Sequence, residues 1–226
     1  VYVNLYGNPA DYDRLNKFCD GKGIPLIEDA AQSQGAMYGK VPSGAMGDVS
    51  VFSFDPMKNM PSFGGGGMVL TDSKEIRDTI VSLRRHGISG KDKYGYNSLI
   101  SEDHANQLLL LLKKFDRLQA MREKVCRRYM KNIPEVQILC AGPNTKSSHH
   151  KLVILNDRRD DLKAYLETKG IQTKIHYLKT LDAEHLGQYP NAEKICAKAL
   201  SLPMYPHLKM KEVDYICDRI KEFIHV

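Results

Sequence analysis

The chain reads as an α/β protein, with a mostly parallel sheet and covering helices in its first part and a small α+β region after it. Three observations predict this. Short β-branched and aromatic runs alternate with helix-length stretches from the N-terminus onward. A strand, helix, strand order at the start implies a parallel, right-handed crossover. With 226 residues and 42% hydrophobic composition, the chain is large enough to bury a core in one or two domains.

Val1, Val3 and Leu5 alternate with polar or small partners and make the first strand, which Gly7, Asn8 and Pro9 end. Asp11 caps a helix running to about Gly21, with Leu15 and Phe18 on one face. Ile24 to Ile27 is the next strand. Ser33 to Gly47, punctuated by Gly35, Gly39, Gly44 and Gly47, reads as irregular backbone leading into a strand of Val49, Val51, Phe52 and Phe54. Asp55-Pro56 closes that strand with turn chemistry. The run Gly64 to Gly67 before Met68, Val69 and Leu70 has two readings, a phosphate cradle or a close-packed turn. No helix follows the glycines, which favours the turn. Lys74 to Arg85 is a helix capped by Ser73 or Asp72, with Ile76, Ile80 and Leu83 inward.

Glu102 to Met130 is mostly helical. Its Leu108 to Leu112 run is apolar all round and so is buried or lies at an interface, and Pro134 ends the segment. Beyond it come a strand at Lys151 to Leu155, a helix at Asp160 to Lys169 stopped by Gly170, and a strand at Ile171 to His176. Helices near Ala192 to Ala199 and Lys211 to Ile224 follow.

Composition narrows the function classes. The net charge is +6, much of it between Lys113 and Arg128. Without interleaved aromatics or a nucleic-acid motif, this is a solvated helix face that attracts an anionic ligand at most. The five cysteines are scattered without C-x-x-C spacing, which suggests reduced thiols and neither a disulfide framework nor a zinc site. The adjacent His149 and His150 read as a strand-edge pair, and no metal is expected. No stretch has membrane-spanning length and no signal-peptide pattern opens the chain, so a cytoplasmic location is expected.

Chemistry concentrates at two strand ends. Lys58 sits in the loop after Phe54, where a partly desolvated amine can attack a carbonyl and form a Schiff base, as in pyridoxal phosphate enzymes. Asp29, in Ile24 to Gln32 (IPLIEDAAQ), lies at a strand's C-terminal end. There a carboxylate either pairs with a protonated pyridine nitrogen or caps a following helix. His176 and Tyr177, at another strand end, are candidate substrate contacts.

In order, EDAAQ, GDVSVFSFDPMKN, GGGGMVLTD, LRRHG and GYNS resemble the DegT/DnrJ/StrS family of sugar aminotransferases, and the resemblance runs from VYVNLYGNPADYD to SLPMYPHL. It implies a fold-type I pyridoxal phosphate enzyme that transaminates a keto sugar nucleotide, with an amino acid, expected to be glutamate, as donor. It also implies that 1–132 is a cofactor-binding large domain, N-terminally incomplete and with its linking helix, and that 133–226 is the small domain. Lys58 resembles the lysine that holds the cofactor and acts as acid and base. Asp29 resembles the partner of the pyridine nitrogen, Gln32 the side chain near the ring hydroxyl, and Ser53 a phosphate ligand. Asn97 resembles the asparagine that reaches the cofactor phosphate of a neighbouring subunit, which implies a homodimer with shared sites. Two departures touch sugar recognition: Leu99 stands where the family has arginine, and HYLKTLD keeps His176 and Tyr177 but has Asp182 where histidine is common.

Alternatives are a dehydratase-like relative, which would carry histidine where Lys58 stands, and a catalytically silent regulatory or scaffolding homologue. The family has a further N-terminal region, which supplies a phosphate-binding helix start and a ring that stacks on the cofactor. The expectation is therefore that this chain is a fragment or is completed by a separate polypeptide, and that alone it binds pyridoxal phosphate weakly and does not transaminate.

Overall fold

A computed structural model describes residues 1–87, 94–181 and 187–225. They gather into two compact units, 1–117 with 141–148 and 118–140 with 149–226. The chain thus changes unit after Arg117, ahead of the expected boundary near Asn132, and 141–148 returns to the first unit before leaving again.

In the first unit β1 (Tyr2–Val3) leads through a 3-10 turn to α1 (Tyr12–Asp20) and β2 (Ile27–Asp29). The strands β3 (Met37–Tyr38), β4 (Val41–Pro42), β5 (Val49–Ser53) and β6 (Gly67–Leu70) follow, then the helices α2 (Lys74–Leu83) and α3 (Glu102–Leu112). The main sheet has the order β1-β2-β5-β6. β1, β2 and β5 are parallel, as the crossover predicts, with Val3 beside Asp29 and Asp29 beside Val51. β6 runs back antiparallel to β5, with Ser53 opposite Gly67.

Local chemistry explains these limits and several departures from expectation. Asp11 caps α1 by accepting the Arg14 N–H at 3.3 Å. The inner stripe of α1 is Tyr12, Leu15 and Cys19, packed on Tyr2, Leu26 and Met46. Phe18, expected on one face with Leu15, lies about 100° off that stripe and is 61% exposed. β2 begins three residues later than expected. Pro25 has no N–H to give a ladder, and Leu26 spends its polar groups on Asp48, giving its N–H to Oδ2 at 2.7 Å and taking the Asp48 N–H at 2.9 Å. Within 33–47, expected to be irregular, β3 and β4 form a hairpin. The glycine run is a close-packed turn into β6. Gly65 and Gly66 have φ of +82° and +143°, and a Cβ on Gly64 would sit 2.2 Å from His104 Cε1.

The long helix divides. α3 ends at Leu112, Lys114 N–H closes on Leu111 O at 2.9 Å, and α4 (Phe115–Asn132) starts anew. Of the leucine run, Leu108 is buried while Leu109, Leu110 and Leu112 are exposed. Residues 118–132 of α4 belong to the second unit, where Val125, Cys126, Tyr129 and the following Ile133 face the core. The basic stretch is not wholly a solvated face. Arg122 is buried and donates to the carbonyls of His149 and Met204, and Arg128 makes a bidentate pair with Asp214 at 2.6 and 2.7 Å.

β7 (Thr145–Lys146) returns to pair with β3 in the first unit. The rest of the second unit comprises β8 (Leu152–Leu155), α5 (Arg159–Thr168), α6 (Pro190–Lys198), β9 (Ala199–Leu202) and α7 (Met210–Ile224), with β8 and β9 antiparallel. His149 and His150 precede β8, and His150 is buried. The expected strand at Ile171 to His176 is reduced to one bridge between Lys174 and Ser201. Its start is taken up in ending α5. Gly170, at φ +72°, gives its N–H to Glu167 O, and the Ile171 N–H reaches Leu166 O at 2.9 Å with both side chains in the core. All five cysteines are free thiols. Among the described residues no helix is long and apolar enough to cross a membrane.

Candidate functional site

Parallel sheets gather function at the carboxyl ends of their strands, and here those ends belong to β1, β2 and β5. Asp29 is the last residue of β2 and half-buried. Its Oδ1 accepts the Ala31 N–H at 3.0 Å, a turn that breaks the strand without starting a helix, so the helix-cap alternative falls away. Oδ2 accepts no hydrogen bond from the described residues. On the adjacent strand Ser53 ends β5. Its Oγ accepts the Asp55 N–H at 3.3 Å, and its hydroxyl proton is given to none of the described residues. Five residues on, Lys58 is half-buried, with its backbone held by the bond from its N–H to Asp55 O at 2.9 Å. Its ammonium makes no ion pair or hydrogen bond with the described residues.

Neighbouring strands lie about 4.8 Å apart and advance about 3.3 Å per residue, so Asp29 and Ser53 stand within roughly 10 Å of each other at one sheet end. A carboxylate, an ammonium and a hydroxyl, each with unspent capacity, are thereby offered along two adjacent strand ends. Gln32 follows in the loop after β2, where its Oε1 accepts the Tyr6 N–H at 2.8 Å and joins that loop to the one after β1.

Sequence reasoning missed the groups that hold these loops. Glu28, fully buried, takes five hydrogen bonds. Oε1 accepts from Asn4 Nδ2 (2.8 Å) and Ser43 Oγ (2.7 Å), and Oε2 from Gly44 N (2.9 Å), Met46 N (3.1 Å) and Ser50 Oγ (2.7 Å). Alternation along β2 puts Glu28 on the opposite face from Asp29, and that alternation was the available signal. Gln34 Nε2 donates to Ser53 O at 2.6 Å, and Asn59 Nδ2 donates to Ser148 O at 2.8 Å across 89 positions of sequence. No local pattern announces a bond of that span.

Other expected site residues lie elsewhere in the chain. Asn97 is exposed. Its backbone bridges to Arg85, and its side chain bonds to none of the described residues. Leu99 is half exposed. His176 and Tyr177 belong to the second unit, with the rings edge-on at 5.5 Å and Tyr177 open to solvent. His176 Nδ1 shares a 2.8 Å hydrogen bond with Ser201 Oγ. Burial, with Lys151 and Lys174 nearby, lowers its pKa to about 4, so the ring is neutral near pH 7. Asp182 lies outside the described residues.

Comparison with known proteins gives the family. Residues 1–221 match the DegT/DnrJ/EryC1/StrS aminotransferase family. The chain is 33% identical over 235 residues to a dTDP-3-amino-3,4,6-trideoxy-alpha-D-glucose transaminase of Streptomyces venezuelae, covering 98% of this chain and 62% of that protein. It is 34% identical to a pleiotropic regulatory protein of Geobacillus stearothermophilus, covering 99% and 64%. Among solved structures, S. venezuelae DesV in complex with a ketimine intermediate superposes with a TM-score of 0.92 at 32% identity, covering 99% of this chain and 64% of that one. The chain thus spans somewhat under two thirds of the length of these relatives.

Proposed function

Because the chain belongs to the DegT/DnrJ/EryC1/StrS aminotransferase family, we propose that it serves pyridoxal phosphate-dependent transamination of a keto sugar nucleotide, with glutamate as amino donor. The observation that carries the reading is the set of uncommitted groups at the ends of β2 and β5: Asp29 Oδ2, the Lys58 ammonium and the Ser53 hydroxyl. They fit this cofactor group by group. A carboxylate matches a protonated pyridine nitrogen, an amine the aldehyde carbon, and a hydroxyl donor the phosphate. When bound, the cofactor supplies an electron sink for the carbon that bears the amino group.

This chain's residues do the rest. Asp29 keeps the proton on the pyridine nitrogen. Lys58 Nζ holds the cofactor and moves a proton in both half-reactions. Ser53 donates to the phosphate, and Gln32 lies beside the ring hydroxyl. His176 and Tyr177, in what we read as the family's small domain, contact the sugar nucleotide, and a neutral His176 does so by hydrogen bonding. Asn97 reaches the phosphate in a second copy, making the working form a homodimer. The exposed Leu109, Leu110 and Leu112 on α3 support association, since water contact with such a patch is costly.

Pyridoxal phosphate followed by borohydride, with peptide mapping, tests the central assignment. The label is expected on Lys58, and a label confined to other lysines sinks the reading. Glutamate and a panel of keto sugar nucleotides, with the N-terminal region that the family resemblance implies supplied alongside, then test the transfer itself. The 34% identity to a regulatory protein supports a second reading, a homologue that binds the cofactor but transfers nothing. A labelled Lys58 with no amino transfer to any keto sugar nucleotide would favour it.

A further inference from the structure

The segment 141–148 re-enters the first unit and contributes more than β7. Just after that strand, Ser148 is fully buried and uses each of its polar groups on a different loop. Its N–H donates to Gly7 O at 2.9 Å, in the loop after β1. Its hydroxyl donates to Gln32 O at 2.8 Å, in the loop after β2. Its carbonyl accepts Asn59 Nδ2 at 2.8 Å, from the loop after β5. Ser147 Oγ adds a second donor to Gly7 O at 3.1 Å. The carbonyls of Gly7 and Gln32 lie beyond their strands, where no ladder serves them, and a buried carbonyl needs a donor. One serine, with an N–H and an O–H, answers both and leaves its own carbonyl for Asn59.

Asn59 is 5% exposed and immediately follows Lys58, while Asp55, Pro56 and Met57 before it are exposed. The lysine therefore hangs between a solvated turn and one buried anchor. Its side chain has four rotatable carbon–carbon bonds, so the direction of Nζ depends on how firmly the backbone below it is held.

From this geometry we infer that Asn59 and Ser148 are positioning residues: the 2.8 Å bond from Asn59 to the Ser148 carbonyl, lost in Asn59→Ala, and the 2.8 Å bond from the Ser148 hydroxyl to Gln32 O, lost in Ser148→Ala, together fix the Lys58 loop against the loop that carries Gln32. The inference rests on the reading of Lys58 as the cofactor-holding lysine. Misplacing a reacting group by about 1 Å can cost roughly a hundredfold in rate, so the anchor acts on reactivity more than on overall stability.

The test compares wild type, Asn59→Ala, Ser148→Ala and Ser148→Thr, with Tyr2→Phe as a core variant away from these loops. Two readouts are taken: the rate at which pyridoxal phosphate and borohydride label Lys58, and hydrogen exchange of the Lys58 amide without cofactor. Asn59→Ala and Ser148→Ala are expected to slow labelling at least tenfold and to speed exchange of the Lys58 amide by a similar factor. Ser148→Thr, which keeps the hydroxyl, restores both, and Tyr2→Phe moves neither. If wild type labels Lys58 and the two alanine variants label it equally fast, the inference is overturned alone. If wild type is not labelled at Lys58, the functional reading falls and the inference falls with it.

Discussion

Glu28→Gln is the sharpest perturbation of the first unit, because it changes one atom in a fully buried cluster. The carboxylate takes two donors on Oε1 and three on Oε2, and no cation faces it among the described residues. An amide nitrogen in place of Oε2 would confront the rigid N–H groups of Gly44 and Met46, so it must replace Oε1. There Ser43 can rotate its hydroxyl and accept. Asn4 cannot adapt, since its Oδ1 is already held by the Ala10 N–H at 2.9 Å, and its Nδ2 is left without an acceptor. One orphaned buried donor costs about 1–3 kcal/mol, and the three bonds to the remaining oxygen each lose about 1 kcal/mol of charge assistance. The lower desolvation cost of a neutral amide offsets part of this, leaving a net loss of about 2–4 kcal/mol. With two units in the chain a single melting midpoint is ambiguous, so the assay is hydrogen exchange at the Gly44 and Met46 amides. Protection there should fall roughly 30- to 900-fold. Protection within threefold of wild type in Glu28→Gln would refute the claim that this carboxylate holds the 43–46 loop.

Gly44→Ala should cost about 2–4 kcal/mol by the same exchange assay, because φ is +100° and the new Cβ would lie 2.6 Å from Phe52 Cζ; a neutral outcome would mean that the ring moves freely. Asp29→Asn should still allow labelling of Lys58 but lower transamination by roughly 10- to 150-fold, the worth of one charge-assisted hydrogen bond, and near-normal turnover would remove Asp29 from its role. Mixing Lys58→Ala with Asn97→Ala chains should restore partial activity through one intact site per heterodimer, and verified heterodimers with none would place Asn97 outside the partner's site. His176 is held neutral, with a folded pKa of about 4 against an ordinary 6.5, so the unfolded chain takes up the proton first. Stability should therefore fall as pH drops from 6.5 towards 4, by about 1–2 kcal/mol once screening of a partly exposed ring is allowed for. A pH series in which His176→Gln loses as much as wild type over that window would contradict this.

The sequence by itself determined the elements that rest on local chemistry and the residues that carry the family's motifs. Asp11 and Ser73 announce their helices because capping is a bond within three residues, and the β5 run ending at Asp55-Pro56 places Lys58 in a loop by turn chemistry alone. Asp29 was legible as a strand-end residue from its own stretch, while Ser53 entered only through the family resemblance. Tertiary structure alone decided what depends on distant partners. β2 starts at Ile27 because Asp48 occupies Leu26, and the stretch after Gly170 makes one bridge because its first residue closes α5. The basic face lost Arg122 to two carbonyls far along the chain. Glu28 and Asp29 look alike as neighbouring acids, but one faces five donors in the core and the other keeps an oxygen open at the sheet's end. Which face of a strand is buried, and which loop a serine 89 positions from Asn59 will anchor, are properties of packing; local pattern carries no term for them.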